Sequence, residues 1–484
     1  MGLTAGRNGF LIMNRLTKFA IIADPHYYSE KLGCTGEAYE RRAGSDQKML
    51  APSKGTIEAA FKKILESDAE FLMIAGDLSN DGELCSHEEI REMLYEFKKQ
   101  KPVYVITATH DWCCDGNPRR YEGENIYHDV ETVAVDKLHE FYKDFGPDEA
   151  LSEFHTHQDK VSYVIRPCEG VTIFCLDDDQ NGEGGSGYSD EHFKWITEQT
   201  NEAKNRGDIV FGMQHHHLHL TEFDRVINGR GSVEYREKLC KKFADIGFPV
   251  MFTGHSHMQH LRKIYSDKGN PFYEMNVASI SGYPAPIVYI DAYENGLDMK
   301  TEHLESFTYK GKEYSNEYLK NHATRLFTKV IEAAVTNEKR DFSALVACLG
   351  VSEEKANKIW LIARPALKWF DKLTVKKAAR IMNFISFGRA IDKKAAKEIG
   401  NTKVTDIVFG TFHSILDGSL IKHPEGTAYY SVFTQAMAFP YRLVKKLKIK
   451  NGGLIRTLTH VKNAAPELMT GGPLDNNNYF ISFK

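Results

Sequence analysis

Five short apolar runs in this 484-residue chain each stop at a carboxylate or an imidazole. Lys18–Ala23 runs into Asp24-Pro25-His26, and Glu70–Ala75 into Gly76-Asp77. Val103–Thr107 leads to Ala108-Thr109-His110-Asp111, Asp208–Met213 to Gln214-His215, and Phe248–Phe252 to Thr253-Gly254-His255-Ser256-His257. Runs of this length and composition read as buried strands. Pro25 keeps Asp24 out of the helical region, and a glycine lets the chain turn sharply where a strand stops. Residues just past strand ends lie where open α/β sheets put their ligands.

Between these runs, residues 53–67, 86–100, 189–206 and 232–245 have helical spacing, and 133–144 predict one more helix inside a long insertion. Alternating strand and helix predicts a layered α/β fold. A strand pair at 161–165 and 171–176 ends in Asp177-Asp178-Asp179, which read as strand and helix caps, with metal binding as the lesser reading. Four consecutive strands at 261–265, 272–277, 287–293 and 297–302 close a first domain spanning 14–308. The texture then changes. Residues 315–336, 352–372, 373–385, 390–400 and 427–448 show helical spacing with Lys on the polar side, which predicts a mainly helical domain over 309–484. Residues 479–481 read as a short docked tail.

Charge divides along the same boundary. Residues 310–484 carry 29 Lys+Arg against 15 Asp+Glu, whereas the whole chain has a net charge of −4. The simplest reading is that the acidic front and the basic tail attract each other; a basic face for an acidic partner is the sharper one. No aromatic-interleaved basic stripe points to nucleic acid. No stretch is long and apolar enough to span a membrane, residues 1–13 lack the apolar core of a secretory signal, and the 8 cysteines form no CxxC pair. These features predict a cytoplasmic protein.

Carboxylates and neutral imidazoles in this mixture suit Mn, Fe, Zn or Co, and a carboxylate able to bridge two cations describes a two-metal hydrolytic centre. The order Asp24-x-His26, Gly76-Asp77, Thr109-His110-Asp111, His215, Gly254-His255-x-His257 resembles the calcineurin-like metallophosphoesterase superfamily, whose pattern is DxH, GDxx, GNH(D/E), H, GHxH. Finer similarity lies in Gly76-Asp77-Leu78-Ser79-Asn80-Asp81-Gly82 and in Ser279-Ile280-Ser281-Gly282-Tyr283-Pro284. The resemblance implies a metallophosphoesterase-type β-sandwich flanked by helices. It implies that Asp24, His26, Asp77 and His257 hold one metal ion, with Asp77 bridging, and that Thr109, His215 and His255 face a second. The ions would be divalent or trivalent Mn, Fe or Zn. A hydroxide between them would attack the phosphorus of a phosphomonoester or phosphodiester. His110 would stabilise the transition state or protonate the leaving oxygen, with Asp111 orienting its ring.

One element departs from the pattern. Thr109 stands where the family has its Asn ligand, and a neutral hydroxyl binds a hard cation more weakly than an amide carbonyl. That substitution is the best support for the alternative, a non-catalytic binding or scaffold module of the same fold; a nuclease is a third reading. His215 is favoured over His216 as the ligand because it lies nearer the strand end. His217, His219 and His260 read as supporting or solvent-exposed. Arg41, Arg42 and Lys48 lie in a polar loop where charged side chains are ordinarily solvated, contact with a substrate phosphate being the other reading.

Overall fold

In a computed structural model, residues 14–179, 185–218, 230–338, 353–419, 423–470 and 473–483 are described. The strands are β1 (Thr17–Ile22), β2 (Phe71–Ala75), β3 (Val103–Ile106), β4 (Arg120–Glu122), β5 (Asn125–Tyr127), β6 (Ser152–His155), β7 (Val161–Cys168), β8 (Val171–Cys175), β9 (Ile209–Met213), β10 (Val250–Thr253), β11 (His260–Tyr265), β12 (Pro271–Asn276), β13 (Pro286–Tyr293), β14 (Gly296–His303), β15 (Ser306–Tyr309), β16 (Lys312–Ser315) and β17 (Asn478–Ser482). They form a six-stranded sheet in the order β17-β14-β13-β1-β2-β3 and a seven-stranded sheet in the order β11-β12-β10-β9-β8-β7-β6, with β4-β5 and β15-β16 as separate hairpins.

The strand alternation explains why the runs are apolar throughout. Phe19 and Ile21 of β1 face the second sheet, where they meet Phe211 and Met213 of β9 and Val250 and Phe252 of β10. Ala20 and Ile22 face the other way, against the helices Ser53–Glu66 and Leu84–Lys98. Side chains two apart share one face of a strand, so a strand covered on both sides has no polar position. Phe19 sits at the middle of this layer, stacked 5.1 Å from Phe71 and 5.2 Å from Phe211, with Phe252 edge-on at 6.1 Å. Truncating such a ring costs about 3–5 kcal/mol.

Direction positions the site. β1, β2 and β3 run parallel, as do β8, β9, β10 and β12. Their carboxyl ends, with the Asp and His residues that follow, therefore gather at one edge of the sandwich. Hydrogen bonds tie the loops there: the Asp24 amide donates to the Gly76 carbonyl, His26 to that of Asp77, and Gly254 to that of His215.

The predicted helices are present, with differences. The 133–144 prediction shrinks to a helix at Leu138–Tyr142, and 315–336 is broken at Thr324 into Asn316–Ala323 and Arg325–Thr336. Helices Val404–Leu416 and Gly452–Thr470 were not foreseen. The tail is a true strand, because β17 pairs antiparallel with β14 and completes the first sheet.

Candidate metal centre

The sequence-predicted ligands converge. Asp24, His26 and His257 form one group of donor atoms lying within 4.8 Å of each other, and Asp77, His215 and His255 form a second. His26 Nε2 and His257 Nε2 face each other at 3.0 Å, with Asp24 Oδ1 at 3.8 Å from the former and 3.6 Å from the latter. Asp77 Oδ2 stands between the groups, 3.7 Å from His26 Nε2 and 3.1 Å from His215 Nε2. His255 Nδ1 is 3.3 Å from His215 Nε2.

Strained backbone supports this arrangement. Asp24 (φ 51°), His26 (φ 42°), Asp77 (φ 52°), His255 (φ 69°) and His257 (φ 55°) all occupy the left-handed region. Each such residue costs of order 1–3 kcal/mol, which the surroundings must offset. The serines of the Ser279–Pro284 stretch do this for the first turn: Ser279 Oγ donates to the Asp24 carbonyl at 2.7 Å, and Ser281 Oγ donates to that of Pro25. Gly254 lets the sheets meet, because a Cβ there would lie 2.5 Å from Asp24 Oδ2.

The donor chemistry fits cations. His215 Nδ1 is 3.0 Å from the Ala75 carbonyl, which can only accept, so Nδ1 carries the proton. A neutral His215 then turns an Nε2 lone pair at the Asp77 carboxylate. Positive charge is required at that point, either a proton on Nε2 or a cation. Burial alone would lower the His215 pKa, but Asp77 and Asp24 outweigh it and raise it well above the ordinary histidine value. Burial likewise opposes ionisation of Asp77, yet His215 and His110 hold its carboxyl well below the usual range. Asp24 is pushed up to about 7 by burial, with His215 opposing and Asp77 adding. Burial lowers the pKa of His26 and His257, and desolvation together with the neighbouring His216 and His215 lowers that of the more exposed His255; neutral is the form in which imidazole ligates. Four imidazoles and two carboxylates without a thiolate suit Zn, Mn or Fe.

His110 faces the same space. Its ring lies edge-on to that of His26, with centroids 4.7 Å apart, and its side chain keeps 38% of its exposure. The role expected for Asp111 is corrected here. The Asp111 carboxylate points away from the ring and accepts from the amides of Ser79 at 2.8 Å and Ala108 at 2.9 Å. It ties the β3 loop to the β2 loop. The His110 ring is held instead at Nδ1, 2.5 Å from the Asn80 carbonyl and 3.1 Å from Asp81 Oδ1. Burial and Lys48 push the His110 pKa down; Asp77 and Asp81 outweigh them, and the net direction is up. Thr109 is half-buried at the head of the same loop.

Lys48 and Asp178 matter in ways the sequence reading did not favour. Lys48, expected to be solvated, is only 4% exposed, with Nζ 2.8 Å from His26 Nδ1. Arg41 and Arg42 lie on a short helix, Glu37–Ala43, where a loop was expected; Arg42 pairs with Asp46 at 2.7 Å and Arg41 is exposed. Asp178 clamps the loop after β9, accepting from the His216 amide at 3.1 Å and from Gln214 Nε2 at 3.0 Å. With Asp179 and His216 it forms another close donor group, in which Lys160 pairs with Asp179 at 2.7 Å while also reaching Asp177 at 3.0 Å. His217 is buried, His260 is half-buried at the start of β11, and His219 lies outside the described residues.

Several known proteins are similar to this chain. Among solved structures, a dimetal phosphatase from Danio rerio is 12% identical, covering 60% of this chain and 97% of its own, with a TM-score of 0.38. A purple acid phosphatase from yellow lupin (Lupinus luteus) seeds is also 12% identical, over 62% of this chain and 52% of its own, with a TM-score of 0.38. A putative 5′-nucleotidase from Staphylococcus aureus is 11% identical over 59% and 52%, with a TM-score of 0.34. A search of curated proteins finds no match. The family model described as calcineurin-like phosphoesterase matches residues 17–259. That match runs from β1 to the residue before β11 and takes in all five strand ends, and the chain belongs to the calcineurin-like phosphoesterase family.

Proposed function

We propose that the chain hydrolyses a phosphomonoester or phosphodiester at a two-metal centre. The observation that carries this reading is the single Asp77 carboxylate, which lies beside both donor groups. Asp24, His26, Asp77 and His257 would hold one ion, and Asp77, His215 and His255 a second, with Thr109 in the sequence position of the family's remaining ligand. When bound, such ions supply an activated water and neutralise phosphate oxygens.

The protein's own groups do the rest. His110, whose side chain keeps 38% of its exposure, is not among the proposed ligands, and Asp81 and the Asn80 carbonyl fix its Nδ1 as the proton-bearing atom. Its Nε2 is thereby left to meet the substrate, donating to a phosphate oxygen or to the leaving oxygen when the ring is charged. The hydrogen bond to Asp81 favours that charged form. Lys48 would contact a phosphate oxygen. His26 has one lone pair; once Nε2 is committed to a cation, Nδ1 keeps its proton and no longer accepts from Lys48, which frees the ammonium for an anion.

Hydrolysis of p-nitrophenyl phosphate and bis-p-nitrophenyl phosphate by protein loaded with Mn, Zn or Fe tests this reading. The expected result is turnover of at least one ester that chelator abolishes and metal restores, with Asp77→Asn inactive but folded. Equal turnover by wild type and Asp77→Asn would contradict it.

A further inference from the structure

The mainly helical region carries a second feature that the metal centre does not use. The helix Val375–Ile385 buries Val375 and Ala379 against the helices Lys393–Glu398 and Ala428–Lys446. Its far end leaves apolar side chains in water: Phe384 is 85% exposed and Phe387 84%, with Ile381 and Ile385 beside them. Phe387 and Gly388, both with positive φ, turn the chain back at this point. The end of the neighbouring helix is adjacent, since Lys446 Nζ lies 4.8 Å over the Phe387 ring and Arg442 donates to the Ala390 carbonyl at 2.9 Å. The next residue, Leu447, is exposed as well.

The frame around these side chains is cationic. Residues 380–389 and 442–450, which form this end, hold seven Lys and Arg and no acid. All seven cations are exposed. An apolar tip ringed by Lys and Arg has the character of a segment that rests on an anionic bilayer, its large apolar side chains at the acyl boundary and its cations among the headgroups. Among the described residues no helix is long and apolar enough to cross a membrane, so contact would be with the surface.

The other occupants fit less well. Two copies meeting through this face would oppose like charges. Single-stranded nucleic acid would stack on Phe384 and Phe387 but leave Ile381, Ile385 and Leu447 in water, whereas the acyl boundary of a bilayer takes up all five. We propose that the end formed by residues 380–389 and 442–450 docks on the surface of an anionic lipid bilayer, with Phe384 and Phe387 entering the interface.

Co-sedimentation of the full chain with phosphatidylcholine vesicles, with and without phosphatidylglycerol, tests this. Expected is binding to the mixed vesicles at low ionic strength, little binding to phosphatidylcholine alone, and release by high salt. The pair Phe384→Ser/Phe387→Ser should bind about tenfold more weakly or worse, and so should Arg389→Glu/Lys446→Glu. All four sites are exposed, so unfolding curves should match wild type. Failure of the wild type to bind mixed vesicles would overturn the proposal. So would undiminished binding by the Phe pair, or oligonucleotide binding or self-association that the Phe pair abolishes while lipid binding persists.

Discussion

The amide of His255 donates to both carboxylate oxygens of Asp24, each at 3.0 Å, across 231 residues of sequence. This contact joins the end of the first strand of one sheet to the last histidine pair of the other. It depends on Gly254, where a side chain would collide with that carboxylate.

Gly254→Ala therefore tests how closely the two sheets must approach. The added methyl would meet Asp24 Oδ2 at 2.5 Å, the Ala23 Cβ at 3.1 Å and the Ala75 carbonyl at 3.2 Å, two of them parts of the rigid strand ends. Overpacking of this kind costs about 1–3 kcal/mol, and a displacement near 1 Å at a reacting centre costs on the order of 100-fold in rate. The variant should fold, with a lower melting temperature and turnover reduced by about that factor. Wild-type turnover would show that Asp24 moves without consequence.

Lys48→Met removes a charge from the site and keeps the length of the side chain. A charge-assisted hydrogen bond to phosphate contributes roughly 1.5–3 kcal/mol, so kcat/KM should fall about 10- to 100-fold while metal content stays at the wild-type level. Steady-state kinetics with metal analysis on the same sample reads both. Loss of metal would mean that Lys48 supports His26 and not the substrate.

Gly254 and Lys48 mark the two sides of what the sequence made legible. The strand ends could be read because each joins an unbroken apolar run to a residue of distinctive chemistry. Asp81 and Lys48 gave no such signal: they act on His110 and His26 from 29 and 22 residues away, through loops whose course no local pattern fixes. Asp111 was misassigned because adjacency in sequence stood in for contact. The hairpins β4-β5 and β15-β16 are short and mostly polar, and offer little alternation. The helix Val404–Leu416 begins with β-branched residues and contains Gly410, and Gly452–Thr470 contains Pro466, all of which weaken a helical reading.

Thr109→Asn should restore an amide carbonyl at the position where this chain departs from its family. The expected outcome is tighter retention of the second cation on dialysis, with the first unchanged, and Thr109→Ala behaving like wild type. A loss of metal from Thr109→Asn would mean that the hydroxyl itself is needed.

His192 offers a pH test away from the cation ligands. It is buried, stacked 4.4 Å from Phe154, and burial lowers its pKa from 6.5 to about 3. Between those values the unfolded chain binds the extra proton, so stability rises with pH across the window and is lost as pH falls from 6.5 toward 3. At about pH 4.5 the loss is roughly 2–3 kcal/mol. His192→Phe should remove that part of the acid sensitivity. Urea unfolding near neutrality and near pH 4.5 would reveal the difference, and identical pH dependence in both proteins would contradict it.

The most direct measurement of the central claim is the number of metal ions per chain, by elemental analysis of wild type, His257→Ala and His255→Ala saturated with Mn or Zn. Two ions in the wild type and one in each variant would match two donor groups sharing Asp77. A single ion in the wild type, or two retained in both variants, would contradict it.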